Sequence, residues 1–174
     1  YSQGEYIAQE KRDITSQQQI YYGAPGTGKS HTINEQTEGE SVIRTTFHPD
    51  SDYSTFVGAY KPTMGLLPIC DELGQPMKIG STVLHKEQII YEFVDQAFLQ
   101  AYVNAWKYYA ENSDTAKKQY LVIEEINRGN CAQIFGDLFQ LLDRNDNGFS
   151  VYPINADKDM KKQLAKAFKK DGKT

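Results

Sequence analysis

Two groups of residues in this sequence have the types and spacing of reactive chemistry. The first is Gly23-Ala24-Pro25-Gly26-Thr27-Gly28-Lys29-Ser30, which fits the phosphate-loop spacing G-x-x-x-x-G-K-[ST] without a gap. Glycines at 23, 26 and 28 permit backbone conformations that a Cβ forbids, so successive N–H groups can turn inward around phosphate oxygens. Lys29 is spaced to reach the β- and γ-phosphates, and the Ser30 hydroxyl to bind Mg²⁺. A helix starting near Gly28 adds its positive end to the same anion, and cofactor contacts are expected from Gly23 through Ser30 to His31. The same letters can form a plain surface turn. Context favours the phosphate site, because Gln19-Ile20-Tyr21-Tyr22 reads as a strand and Ser30-His31-Thr32-Ile33-Asn34 as helix.

The second group is Tyr120-Leu121-Val122-Ile123-Glu124-Glu125. Four apolar residues followed by paired acids describe a buried parallel strand whose carboxyl end reaches a site. Glu124 is then expected to hold the water shell of Mg²⁺, and Glu125 to orient or deprotonate an attacking water. Many strands end in solvated charges, so this pattern is weak alone. About ninety residues downstream of a phosphate loop it is strong.

These residues need a scaffold, and the composition supplies an ordinary one. The 174 residues are 39% hydrophobic and 24% charged, which suits one domain with a real core. No apolar run approaches a membrane span, and no membrane partner is expected. No secretory signal is visible and the chain begins at Tyr1, so the sequence reads as a piece cut from a longer, cytoplasmic protein. Cys70 and Cys131 have no metal-like spacing. The net charge of −4 argues against a globally basic nucleic-acid binder. The 12 tyrosines can serve as stacking surfaces or as amphipathic core edges.

In order, residues 1–17 read as a polar lead-in and 18–22 as the first strand. The loop and its helix follow, ending near Gly39, and then a second strand over 41–47. His48-Pro49-Asp50-Ser51-Asp52-Tyr53 is a turn in which Asp50, Ser51 or Asp52 can cap a short helix. His48 can face a nucleotide pocket or simply bond locally. An insertion over about 63–90, rich in Pro and Gly, reads as a β-hairpin flanking Asp71-Glu72-Leu73-Gly74. It serves as a contact loop or a surface decoration. From Val94 to Ala110 the period is helical, with Val94, Phe98, Ala101, Tyr102, Ala105 and Tyr109 on one face and Trp106 and Tyr108 partly off it. Asn112-Ser113-Asp114 closes that helix, and a further helix is expected from Cys131 to Asp143. A turn at 143–148 then leads to a short strand, Phe149 to Tyr152. The tail, 156–174, is a basic amphipathic helix with Met160, Leu164 and Phe168 in line. Its lysines at 158, 161, 162, 166, 169, 170 and 173 outnumber Asp157, Asp159 and Asp171, which suits DNA contact or a solvated face.

The two motifs and their intervening sequence resemble the AAA+ family of P-loop NTPases. More narrowly they resemble the McrB-type motor subunit of methylcytosine-dependent restriction systems. The resemblance rests on the phosphate loop and on Thr46-Phe47-His48-Pro49-Asp50 with Tyr53, Phe56, Val57, Tyr60 and Pro62. It continues in Val122 to Asn130 and in Ile134-Phe135-Gly136-Asp137, so that it covers about residues 18–155. It implies a three-layer α/β/α P-loop NTPase fold: an incomplete AAA+ large subdomain, with a parallel sheet of order 5-1-4-3-2 and a hairpin-like insertion. It also implies a homo-oligomeric ring, hexameric by resemblance, in which a neighbour supplies an arginine. A nuclease subunit, GTP (or ATP) hydrolysis with Mg²⁺ and DNA translocation belong to the same expectation. Asn127 and Arg128 match family positions beside the acids, where Arg128 either acts across a subunit interface or makes a local salt bridge. Glu124 stands where many relatives carry Asp. No asparagine sensor, arginine-finger pair or helical lid is found in the sequence, so the chain is expected to bind nucleotide better than it hydrolyses it. Rival readings are an ATP-driven protein remodeller and a non-hydrolysing nucleotide-dependent assembly module.

Overall fold

The computed structural model describes residues 18–111, 117–145 and 150–169. In chain order the elements are α1 (Lys29–Gln36), β1 (Ser41–Thr46), α2 (Tyr53–Phe56), β2 (Gly58–Pro68), β3 (Lys78–Ile79), β4 (Thr82–Val83) and β5 (His85–Asp95). Then come α3 (Ala97–Glu111), β6 (Gln119–Glu124), a 3-10 turn (Ile126–Arg128), α4 (Cys131–Phe135), a longer 3-10 segment (Gly136–Leu142) and α5 (Lys158–Phe168). The architecture is mixed α/β with a small parallel sheet. The elements divide into two compact units, one of Tyr1–Glu38 with Asp137–Ile154, the other of Gly39–Gly136 with Asn155–Thr174. The lead-in 1–17, the helix stop at 112–114, turn residues 146–148, Phe149, Lys170, Asp171 and Lys173 lie outside the described residues.

In the larger unit β1 and β6 pair in parallel, in register from Ser41 opposite Gln119 to Thr46 opposite Glu124. α3 packs against both strands, and its Tyr108 hydroxyl donates to Ser41 Oγ at 3.3 Å. Beyond β1 the chain carries Phe47 into the core, where Phe47, Phe56, Val57, Leu99 and Ile134 are almost wholly buried. The rings lock edge to face: Phe47 lies 5.3 Å from Phe56 and 5.9 Å from Phe135. Each such side chain contributes roughly 1.5–3 kcal/mol on burial. α5 packs on α3 and buries Met160, its first turn fixed by Asp157, whose carboxylate accepts from Met160 N at 2.7 Å.

α2 is too short to hold itself together. Of the three expected caps, Asp52 takes the position. Its carboxylate accepts from Thr55 N at 2.9 Å and Ser54 Oγ at 2.7 Å, while its own N–H donates to Thr55 Oγ1. The Ser54 hydroxyl first, then the Thr55 N–H, hold the Asp52 carboxyl below its ordinary value.

In the smaller unit α1 follows the glycine loop. Ser150 Oγ donates to Leu141 O and Val151 N to Asp143 O, both at 2.8 Å. Gln18 Nε2 donates to Leu142 O at 3.0 Å.

Several expectations are corrected. Residues 18–22 form no strand, and Ile20 and Tyr22 are exposed. In the sheet order implied by resemblance, that strand lies beside strands 4 and 5. Among the described residues the parallel sheet contains only β1 and β6, so residues 18–22 are in no ladder. The helix expected from 131 to 143 breaks at Gly136, whose φ of 51° ends α4. Of the apolar residues spaced along it, Ile134, Phe135 and Leu138 are buried, Cys131 is half-buried and Leu142 is exposed. The helix expected from Val94 starts at Ala97, because Val94 and Asp95 are taken by β5. Its buried residues are Leu99, Ala101 and Val103, while Tyr102 and Tyr109 are exposed. At the expected strand 149–152, the described residues show one bridge, Arg144 to Ser150. The insertion is a hairpin, as expected, but a longer one: β2 pairs with β5 from residue 58 to 95. The Asp71–Gly74 turn forms near its tip, with Asp71 Oδ1 accepting from Leu73 N and Gln75 N.

Asp52→Ala is expected to lower the unfolding free energy by about 1 kcal/mol at pH 7. Because the folded carboxyl titrates below its ordinary 3.8, its stabilisation is complete above that value and is lost as pH falls through the lower folded value. Urea titrations of parent and variant should therefore converge in acid. At Gly129 an added Cβ would meet Ile134 Cδ1 at 2.5 Å and Phe47 Cβ at 3.2 Å. Gly129→Ala should cost about 1–3 kcal/mol by overpacking, read in the same titration.

Candidate functional site

The glycine loop has the backbone that its sequence demands. Gly23, Gly26 and Gly28 have φ of 149°, 79° and 80°, and the left-handed Gly28 turns the chain into α1. Thr27 Oγ1 donates to Ala24 O at 2.9 Å, closing the loop on itself. Lys29, in the first turn of α1, folds back so that Nζ donates to Gly23 O and Ala24 O, both at 2.8 Å. Among the described residues no carboxylate pairs with this ammonium, and the first turn of α1 contains no acid. The positive helix end and the lysine charge are therefore left unneutralised, which favours an anion there. Ser30 is exposed in the same turn. His31 lies on the helix flank with Nε2 3.4 Å from Glu35 Oε1.

The paired acids lie in the other unit. Every residue of β6 is half-buried, and Phe47 N donates to Glu124 O at 3.0 Å, extending the ladder by one bond past the strand. Glu124 Oε1 accepts from Arg44 Nη1 at 2.9 Å. The register explains this, since Thr46 is opposite Glu124 and Arg44 precedes it by two on the same face of β1. At Glu125 the backbone turns left-handed, φ 53° and ψ 40°, the single positive-φ residue other than glycine among those described. A side chain in that region costs ~1–2 kcal/mol. Two bonds hold it: Arg128 N donates to Glu125 O at 2.8 Å, and Arg128 Nε pairs with Glu125 Oε2 at 3.1 Å. The bend takes the Glu125 carboxylate off the strand axis into an exposed position, and Asn127 and Arg128 are exposed beside it. Gly129 then passes close over Phe47 and Ile134, and Asn130 caps α4 by accepting from Gln133 N.

At the carboxyl end of β1 a cleft of about 440 Å³ is lined by residues including Thr46, His48, Asp50, Ser51 and Thr55. His48 bonds locally, through its backbone N–H, which donates to Ser51 Oγ at 2.9 Å, and is one of the cleft residues. Arg128 makes the local salt bridge expected as one of its two roles.

Sequence reasoning missed Arg44 and Asn130. Asn130, directly before an apolar helical stretch and three residues before Gln133, carries a capping signal that could have been read. Arg44 carries no local signal, because its partner is set by cross-strand register.

No family model matches the chain. It is 39% identical over 164 residues to the "Type II restriction enzyme BsuMI component YdiS" of Bacillus subtilis, a match covering 87% of this chain and 45% of that protein. It is 24% identical over 136 residues to the "Type IV methyl-directed restriction enzyme EcoKMcrB subunit" of Escherichia coli, covering 74% of this chain and 23% of that one. The chain spans less than half the length of either relative. Through these two proteins the chain is related to the McrB-type subunits of restriction systems.

Proposed function

We propose that the chain is the nucleotide-binding portion of an NTPase that hydrolyses GTP or ATP to drive DNA translocation in a modification-dependent restriction system. The observation that carries this reading is the loop at residues 23–30. Three positive-φ glycines lead into a helix whose N-terminal charge and lysine have no carboxylate to neutralise them among the described residues. The relationship to two restriction-enzyme components supports the setting. In the complete protein, a homo-oligomeric ring with a neighbour's arginine, a nuclease subunit and DNA as the substrate track belong to the same proposal.

The chemistry follows from what each side chain offers. Lys29 exchanges two loop carbonyls for phosphate oxygens, adding an attraction between opposite charges that neutral carbonyls do not supply. Ser30 Oγ and the Glu124 carboxylate are hard oxygen donors of the kind Mg²⁺ takes, with Glu124 acting through water. The bound ion supplies charge neutralisation at the transferring phosphate. Glu125 accepts a proton from the attacking water as the β–γ bond breaks. Its carboxylate must first leave Arg128. That exchange is cheap, since a pair about half exposed on both sides contributes only ~0–1 kcal/mol.

A Mg²⁺-dependent titration of GTP against ATP on this chain is expected to show saturable binding that Lys29→Ala weakens at least tenfold. Equal binding by parent and variant would remove the loop from the proposal. Glu125→Gln in the complete protein should retain nucleotide affinity within about threefold while turnover falls by about 10²–10⁴. Unchanged turnover would assign the proton transfer elsewhere.

A further inference from the structure

β2 and β5 form an antiparallel ribbon of eleven residues a side, about 37 Å long. Its register puts opposite residues on a common face. One face carries Tyr60 with Phe93, Tyr91, Met64 with Ile89, and Leu66. The other is mixed, with Lys61 opposite Glu92, Thr63 opposite Ile90, Gly65 opposite Gln88 and Leu67 opposite Lys86. On that face Ile90 packs over Gly65, where an added Cβ would come within 2.4 Å of its Cδ1. Among the described residues nothing covers most of the apolar face. Along it Tyr60 is 41%, Met64 60%, Leu66 67%, Ile89 63% and Tyr91 70% exposed. Only the Tyr60–Phe93 ring pair at the base is packed edge to face, at 5.6 Å.

We propose that this face is an isologous contact with a second copy of the same chain. A lone two-stranded ribbon is marginal in water and gains from a covered face. Between its ends the face carries one charged residue, Glu87 opposite Leu66, so it offers nothing to a polyanion such as DNA. Five large side chains at these exposures present roughly 600 Å² per copy, about 1,200 Å² for a pair, above the ~1,000 Å² that a specific interface needs. The Met64·Ile89 and Pro62·Tyr91 pairs lie at mid-ribbon. A two-fold axis there, across the strands, lays the tip of one ribbon over the base of the other. Leu66 of each copy then covers the Tyr60 end of its mate. Such a contact closes on itself, unlike the head-to-tail contact that builds a ring, and it is independent of nucleotide.

Sedimentation equilibrium of the 174-residue chain without nucleotide should show a reversible dimer, dissociating at about 1–100 µM, and Ile89→Lys should weaken it at least tenfold. Met64→Cys in a Cys70→Ser background should be cross-linked between copies by a short bismaleimide, where Cys70→Ser alone is not. A monomer at several hundred micromolar overturns the proposal. So does a dimer that ignores Ile89→Lys while Met64→Cys stays uncross-linked, because another face then makes the contact. Circular dichroism of both variants checks that the fold is retained.

Discussion

The parallel pairing of β1 with β6 is the contact on which the larger unit depends. It joins residues 78 apart in sequence, such as Ser41 and Gln119, and α2, the ribbon and α3 all lie within the loop it closes. Closing so long a loop is entropically unfavourable, but the cost grows only logarithmically with length. The Phe47, Phe56 and Phe135 rings gathered just past the end of β1 offset it. The register matters as much as the pairing. A slip of one residue would send Glu124 to the opposite face of the strand pair and away from Arg44.

The two halves of the proposed chemistry are charged in different ways. In the loop unit the Lys29 ammonium rests on neutral carbonyls and has no carboxylate counterpart among the described residues. In the other unit each acid already has an arginine, Glu124 with Arg44 and Glu125 with Arg128. The first arrangement invites an anion at little cost, since no ion pair must break. The second keeps two adjacent carboxylates from repelling one another until something else claims them.

What the sequence made legible was local. Glycines at 23, 26 and 28 dictated the loop because few other residues accept its dihedral angles. The apolar run before Glu124 marked its own strand, and Asp52 was among the caps expected for α2. What escaped was non-local. Arg44 meets Glu124 through register between distant strands, and residues 18–22 stay irregular because a strand requires a neighbour as well as a propensity. The aromatic period of α3 also misled. Tyr102 and Tyr109, expected on the apolar face, pack edge to face against Trp106 along an exposed stripe rather than entering the core. Periodicity identifies a face without saying whether anything covers it.

The left-handed backbone of Glu125 sets two selective pressures against each other. Glycine would relieve the torsional cost at that position, and asparagine would lessen it, yet neither brings a carboxylate. Glu125 thus gives up ~1–2 kcal/mol of local stability to carry a carboxylate clear of its strand, a trade that either substitution would reverse.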